Sequence, residues 1–349
     1  MPEHVTCVEW GRWRCMRARS LLAAALTLLV LTLSSWAADA AQPPSAVLSP
    51  VCAEPGGQTD TPPHPRLHRA VVDGVDVAVV LPPGYDRDSR RYPVLYLLHG
   101  AQGDEDSWIE YGGLLEDTLA RPERERAIVV MPRMSPITGL AVDWVDGHRR
   151  DATLIGRTLV DWVDRTWRTK ADRQHRAIAG YSGGGLSAAH VAERFPDVFG
   201  QLGVFSGAVD LRNPAGQPAA YALFEAEKVC AGDDLLAAGP LGDPVTHADA
   251  WAAADPLHGA GKLHDTTVWL SSGNGLPCTS EDAANLVYPT AATEPQMRQQ
   301  ANAFSAALTA AGVQHTNNQR ACGLHWWTTW RPDLNTFWDL ASARWHVSR

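Results

Sequence analysis

Three side-chain types that together can activate a nucleophile occur in this chain in the order serine, carboxylate, histidine. The serine is Ser182, at the centre of Gly180-Tyr181-Ser182-Gly183-Gly184. Gly-x-Ser-x-Gly on a strand-to-helix turn tolerates a strained backbone at the serine, because the flanking glycines carry no Cβ to clash, and it presents the hydroxyl at the tip of the turn. The apolar burst Ala177-Ile178-Ala179 predicts the strand, and Leu186, Ala188, Ala189 and Val191 predict the helix. The free N–H groups at that helix start would face an oxyanion formed at the serine, with Gly183 as the nearest donor. A glycine-rich chain produces this spacing by chance as well, so its weight comes from that context.

The base expected for such a serine is His325, in Cys322-Gly323-Leu324-His325, between the last predicted strand and the last predicted helix. His315 falls in or at the start of a strand, and His346 beyond the closing helix. Spacing alone leaves the acid open. Asn274 holds the position after the strand at 266–272, so Glu281, Asp282 and Glu294 remain. Glu294 also has a plain structural reading, as an acid before Pro295 at a helix start. The N–H of Ala101, just past an apolar run at 92–98, is the expected second oxyanion donor. His99, Gln102, Trp108, Trp144 and Trp326, with Trp327 beside it, fall near the same end of the strands and are candidates to line a substrate pocket, although the tryptophans suit a core equally well. This chemistry calls for no metal and no cofactor. His64 and His68, without further ligands, read as surface residues.

The elements that must position these groups alternate. A hairpin over 71–81 turns at Asp73-Gly74. Apolar strands are expected at 92–98, 127–131, 177–181, 202–205 and 266–272, and a polar edge strand at 314–321. Helices are expected around 114–119 and over 151–167, 295–311 and 333–345, while 209–263 breaks the rhythm and reads as an irregular, partly helical excursion over the site. The class is α/β, a mostly parallel central sheet with helices on both faces and the ligand site at the strands' carboxyl ends.

The chain has 349 residues, 45% hydrophobic, with a formal net charge of −9. It is long enough for one large core, and it has no basic run to track phosphates, which argues against a nucleic-acid partner. Arg12, Arg14, Arg17 and Arg19 precede an apolar run at 21–33 and the small residues Ala37, Ala38 and Ala40. Residues 1–40 therefore read as a secretory signal peptide, with Met16 as an alternative start and an uncleaved anchor over 20–38 as the competing reading. After cleavage no stable membrane insertion is expected. A linker rich in proline follows at 41–66, and 67–349 is the catalytic domain. Export leaves Cys52, Cys230, Cys278 and Cys322 in an oxidising compartment. Cys278 and Cys322 each lie near a proposed catalytic loop and are expected to pair, leaving Cys52 for Cys230.

The chain resembles the esterase D family, whose exported relatives include the antigen 85 mycolyltransferases. The resemblance is carried by LPPGY at 81–85, RYPVLYLLHG at 91–100, RAIAGYSGGGLSAAHVAERFPDVFGQLGVFSGAVD at 176–210, SSGNGLP at 271–277 and GLHWW at 323–327. It implies an α/β-hydrolase fold, a secreted serine esterase and an ester substrate of the small-molecule, glycan or lipid kind. In the mycolyltransferase branch a Gly-Asn-Gly strand end is followed by a glutamate that leads a helix with a phenylalanine ten residues on. Glu294 and Phe304 match that spacing, so the resemblance implies Glu294 as the acid, with Asp282 in reserve. His99 stands where mycolyltransferases carry an aspartate that helps bind trehalose, which favours hydrolysis over acyl transfer to a sugar. Gly183 replaces a methionine common in both branches and is expected to open space beside the nucleophile. A non-catalytic cell-wall binding protein on the same fold is the alternative outside enzymes.

Overall fold

A computed structural model describes residues 64–115, 126–135, 137–230, 238–284, 286 and 290–347. The leader at 1–40, nearly all of the linker at 41–66 and most of the helical pattern at 114–119 lie outside the described residues.

Eight strands form one sheet in the order β1-β2-β4-β3-β5-β6-β7-β8. β1 (Leu67–Val72) and β2 (Val75–Val80) are the expected hairpin, begun four residues earlier than its apolar pattern suggests. Its turn residues Asp73 and Gly74 have φ of 51° and 80°, as a tight two-residue hairpin turn requires. β4 (Ile128–Pro132) pairs antiparallel with β2 and parallel with β3 (Val94–Leu98). Beyond β3 the sheet is all parallel: β5 (Arg176–Tyr181), β6 (Gln201–Phe205), β7 (Thr267–Ser272) and β8 (His315–Gln319). Residues of β3 to β6 are buried throughout, so alternate side chains feed two cores. Val94, Tyr96, Leu98, Ile178 and Leu202 belong to one, and Leu95, Leu97, Ala177, Ala179 and Phe205 to the other.

The helices are α1 (Ser107–Glu110), α2 (151–166, with a π turn at Leu154–Thr158), α3 (Gly183–Arg194), α4 (Gln217–Cys230), α5 (Ala248–Ala254), α6 (Pro256–Gly259), α7 (Ser280–Ala284), α8 (Thr290–Ala310) and α9 (Trp327–Val347). The first core takes Ile155 and Leu159 of α2, Ala188 and Val191 of α3, and Phe304 and Leu308 of α8. The second takes Trp108 of α1 and Leu334, Phe337, Trp338 and Trp345 of α9. The excursion carries α4 to α6 and packs Leu211, Phe224, Leu241 and Trp251 against Leu140, Val142, Trp144 and Leu186.

Two helix starts differ from expectation. α8 begins at Thr290 rather than 295, and α9 at Trp327 rather than 333, because Pro295 and Pro332 lie inside these helices instead of opening them. An internal proline lacks one N–H and crowds the carbonyl four residues back. Gly275 packs directly on this turn, where a Cβ would lie 3.0 Å from the Pro295 ring and 2.4 Å from Ala291 O. α9 also runs on to Val347, past the expected end at 345, so His346 sits in its last turn and not beyond it. Cys278 and Cys322 form a disulfide. Cys230 is disulfide-bonded as well, while Cys52 lies outside the described residues.

Candidate active site

Ser182 stands between β5 and α3 with φ 54° and ψ −124°, a conformation held by the packing around it. A Cβ on Gly180 would lie 2.3 Å from Gly184 O, and one on Gly184 would lie 2.2 Å from His99 O. Both glycines are therefore required by how closely the turn crosses itself and the end of β3. The N–H of Ser182 donates to Phe205 O of β6 at 2.9 Å.

The structure brings Ser182, His325 and Glu294 together. His325 Nε2 is 2.9 Å from Ser182 Oγ, and His325 Nδ1 is 2.8 Å from Glu294 Oε2. A carboxylate only accepts, so Nδ1 carries the proton and Nε2 is left to accept the serine hydroxyl. Glu294 is fully buried. Burial alone would raise its pKa, but the hydrogen bond and charge of His325, with the N–H of Gly273 and the hydroxyl of Ser206, hold it below the ordinary value. Those two donors meet Oε1 at 2.5 and 2.7 Å. His325 is walled by Trp330, edge-on at 5.0 Å, which in turn stacks on Tyr181 at 4.3 Å. The segment bearing His325 is closed at its base by buried Asp333, which accepts from Arg320 and from the Ser271 hydroxyl.

Asp282, the reserve acid, lies elsewhere. Its carboxylate accepts the N–H groups of Cys278 and Thr279 and the hydroxyl of Thr328, so it organises the start of α7. Ser206 was not foreseen from sequence. Like Ser182 it follows a strand, precedes a glycine and has a positive φ, 48°, so a Ser-Gly pair at the carboxyl end of the neighbouring strand was the available signal.

Ala101 N lies 3.6 Å from where a Cβ on Gly183 would stand, next to Ser182, and among the described residues neither the Ala101 nor the Gly183 N–H has a protein acceptor. The space expected beside Gly183 is not open. The carbonyl of Thr138 fills it, 2.3 Å from where a Cβ would stand. Gly183→Met should therefore push the two expected oxyanion donors, Ala101 and Gly183, apart and lower kcat by about 100-fold. Steady-state kinetics on a p-nitrophenyl ester would check this, and an unchanged kcat would mean that the Thr138 backbone yields freely.

The pocket candidates separate. Gln102 is exposed, with φ 59°, and Trp326 is half-buried beside His325. Trp108 is completely buried among Tyr181, Phe205 and Trp327 and donates its indole N–H to Leu98 O, so it is core rather than pocket wall. Trp144 is 3% exposed and packs under the excursion. His99 is also buried. Its Nε2 accepts the N–H of Met134 at 2.8 Å, so its Nδ1 donates to Gly100 O, also at 2.8 Å. Burial pushes its pKa down to about 4, which keeps it neutral in this bracing role.

A model of the Esterase family matches residues 70–338, most of the chain. The chain belongs to the Esterase family. It is similar to Esterase Rv1288 of Mycobacterium tuberculosis, 28% identical over 266 residues that cover 74% of this chain and 53% of that protein. It is also similar to diacylglycerol acyltransferase/mycolyltransferase Ag85A of Mycobacterium leprae, 32% identical over 163 residues, 46% of each chain. The chain spans about half the length of these curated relatives. Among solved structures, Mycobacterium tuberculosis MPT51 superposes with a TM-score of 0.59 at 20% identity, covering 80% of this chain and 98% of that one. This is the α/β-hydrolase fold, as the motif resemblance implied.

Proposed function

We propose that this esterase-family chain is an exported serine esterase working through Ser182, His325 and Glu294. His325 takes the proton of Ser182 as the serine oxygen attacks an ester carbonyl, and the amides of Ala101 and Gly183 stabilise the tetrahedral oxyanion. Collapse expels the alcohol, protonated by His325, and leaves an acyl group on Ser182. Water, deprotonated by the same histidine, then releases the carboxylic acid. The observation that carries this reading is the continuous hydrogen-bonded line from Glu294 through His325 to Ser182 Oγ. Export is supported by the leader pattern at 1–40 and the Cys278–Cys322 disulfide.

Acyl transfer to a sugar is the second reading, favoured by the similarity to Ag85A. Hydrolysis is preferred because His99 spends both ring nitrogens on the protein backbone and offers none to a sugar hydroxyl. Purified protein lacking residues 1–40 should hydrolyse short p-nitrophenyl esters and take up a fluorophosphonate on Ser182, mapped by peptide mass spectrometry. Product analysis with trehalose present distinguishes the two readings, since acylated sugar in excess of free acid would favour transfer. Absence of both ester turnover and fluorophosphonate labelling would remove the enzymatic reading.

A further inference from the structure

Residues 134–135 and 137–141 are fastened at both ends to the machinery around Ser182. At one end the N–H of Met134 donates to His99, the first residue after β3, which begins the loop that carries Ala101. At the other, Ser187 of α3 accepts the N–H of Ala141 at 2.8 Å, and its hydroxyl lies 3.0 Å from Gly139 O and 2.9 Å from Gly183 O. Between these ends the backbone presses on both proposed oxyanion donors. Gly139, at φ +64°, backs onto the Gly100–Ala101 peptide so closely that a Cβ would lie 2.5 Å from Gly100 C and 2.9 Å from Ala101 N. One residue earlier, the Thr138 carbonyl covers Gly183.

The tip of this turn is held from outside the sheet. The N–H groups of Ile137 and Thr138 both donate to one carboxylate oxygen, Glu227 Oε2, at 3.1 Å each. Glu227 belongs to α4 of the excursion and is 1% exposed. Two buried backbone donors without an acceptor are costly, so a turn deprived of this carboxylate would shift to find water or another partner. Any such shift moves Gly139 and Thr138, and with them the peptides they press on.

We propose that Glu227 is a positioning residue for the oxyanion hole. By accepting the N–H groups of Ile137 and Thr138 it seats the turn 137–139 against Gly100–Ala101 and Gly183, and so sets the spacing and aim of the two donors. The proposal rests on the reading of Ser182 as nucleophile. It gives the excursion a part in the rate of reaction.

The experiment compares wild type, E227M and E227Q in the whole exported chain. Methionine keeps the length of the side chain without an acceptor, whereas glutamine keeps one acceptor oxygen. For p-nitrophenyl butyrate, E227M should lose about 10- to 100-fold in kcat with KM within about 2-fold, since misplaced oxyanion donors cost transition-state binding and not ground-state binding. Its affinity for a trifluoromethyl ketone, whose hemiketal oxygen occupies the same hole, should fall by the same factor. The acid limb of the kcat/KM profile should stay in place, because His325 and Glu294 are untouched, and E227Q should recover most of the loss. A folded E227M with wild-type kcat and ketone affinity, or with a loss in KM alone, overturns the proposal. If E227M does not fold, Ser187→Ala frees the other end of the segment. It should show the same loss confined to kcat, and an unchanged kcat there is equally fatal. A wild-type protein that neither turns over ester nor takes the fluorophosphonate brings down the nucleophile reading and this one with it. An active wild type beside an unaffected E227M brings down this one alone.

Discussion

Ser182→Ala should lower kcat for ester hydrolysis by at least about 10,000-fold and abolish fluorophosphonate labelling. The alanine fits the elbow without new contacts, since only Oγ is lost, and the glycines that permit φ 54° remain. What survives is the proposed oxyanion site at Ala101 and Gly183 and a histidine able to activate water directly, so a residue of catalysis over the uncatalysed reaction is expected. The control is a folded variant with an unchanged melting midpoint. A variant keeping more than about one per cent of wild-type kcat would contradict covalent catalysis at this position. Ser206 could not take over, because its hydroxyl is fully buried and committed to Glu294.

Glu294→Gln should cost about 1,000- to 10,000-fold in kcat while leaving the backbone in place, by analogy with loss of the acid in other triads. Three donors converge on this carboxylate: His325 Nδ1–H, Gly273 N–H and the Ser206 hydroxyl. A glutamine supplies one acceptor oxygen and one NH2 group. Gly273 and Ser206 compete for the oxygen, so the NH2 is driven toward His325. The imidazole then moves its proton to Nε2, and the atom facing Ser182 no longer accepts. The same substitution has a sign in acid. Because Glu294 titrates below its ordinary value of 4.5 in the folded state, it stabilises the fold above that ordinary range and loses this contribution as pH falls through its lowered value. The stability gap between wild type and variant, measured by urea denaturation, should be larger at neutral pH than near pH 3. A gap independent of pH would mean that the carboxylate is not held ionised by its partners.

Much of this site could be read from spacing. The strand, turn and helix around Ser182 are dictated by a local pattern, and His325 sits on a loop set by the order of elements, so both follow from residues near them in sequence. Glu294 was harder for a physical reason. Its role depends on Gly273 and Ser206, which reach it across the ends of β7 and β6, and on a helix that starts five residues earlier than its proline implies. Trp108, Trp144 and His99 show the opposite failure: their types suit a binding site, but only the tertiary packing reveals that they face inward. Gly183 is the most instructive miss. A missing side chain reads as empty space in sequence, yet the chain had already spent that space on the Thr138 carbonyl, a neighbour no local pattern predicts.

The Cys278–Cys322 disulfide closes a sequence separation of 44 residues. Glu294 lies within that loop and His325 three residues past its end, whereas Ser182 lies well outside it. By chain entropy such a closure is worth about 4 kcal/mol, and it acts on the proposed acid and base, Glu294 and His325, while leaving the turn at Ser182 outside the closed loop. A preparation made in a reducing cytosol can therefore look sound by yield, by circular dichroism and by melting of the main sheet, and still contain molecules whose histidine is poorly seated. For this protein the quantity to standardise between batches is the fraction of active sites, obtained by titration with a stoichiometric inhibitor, rather than total protein.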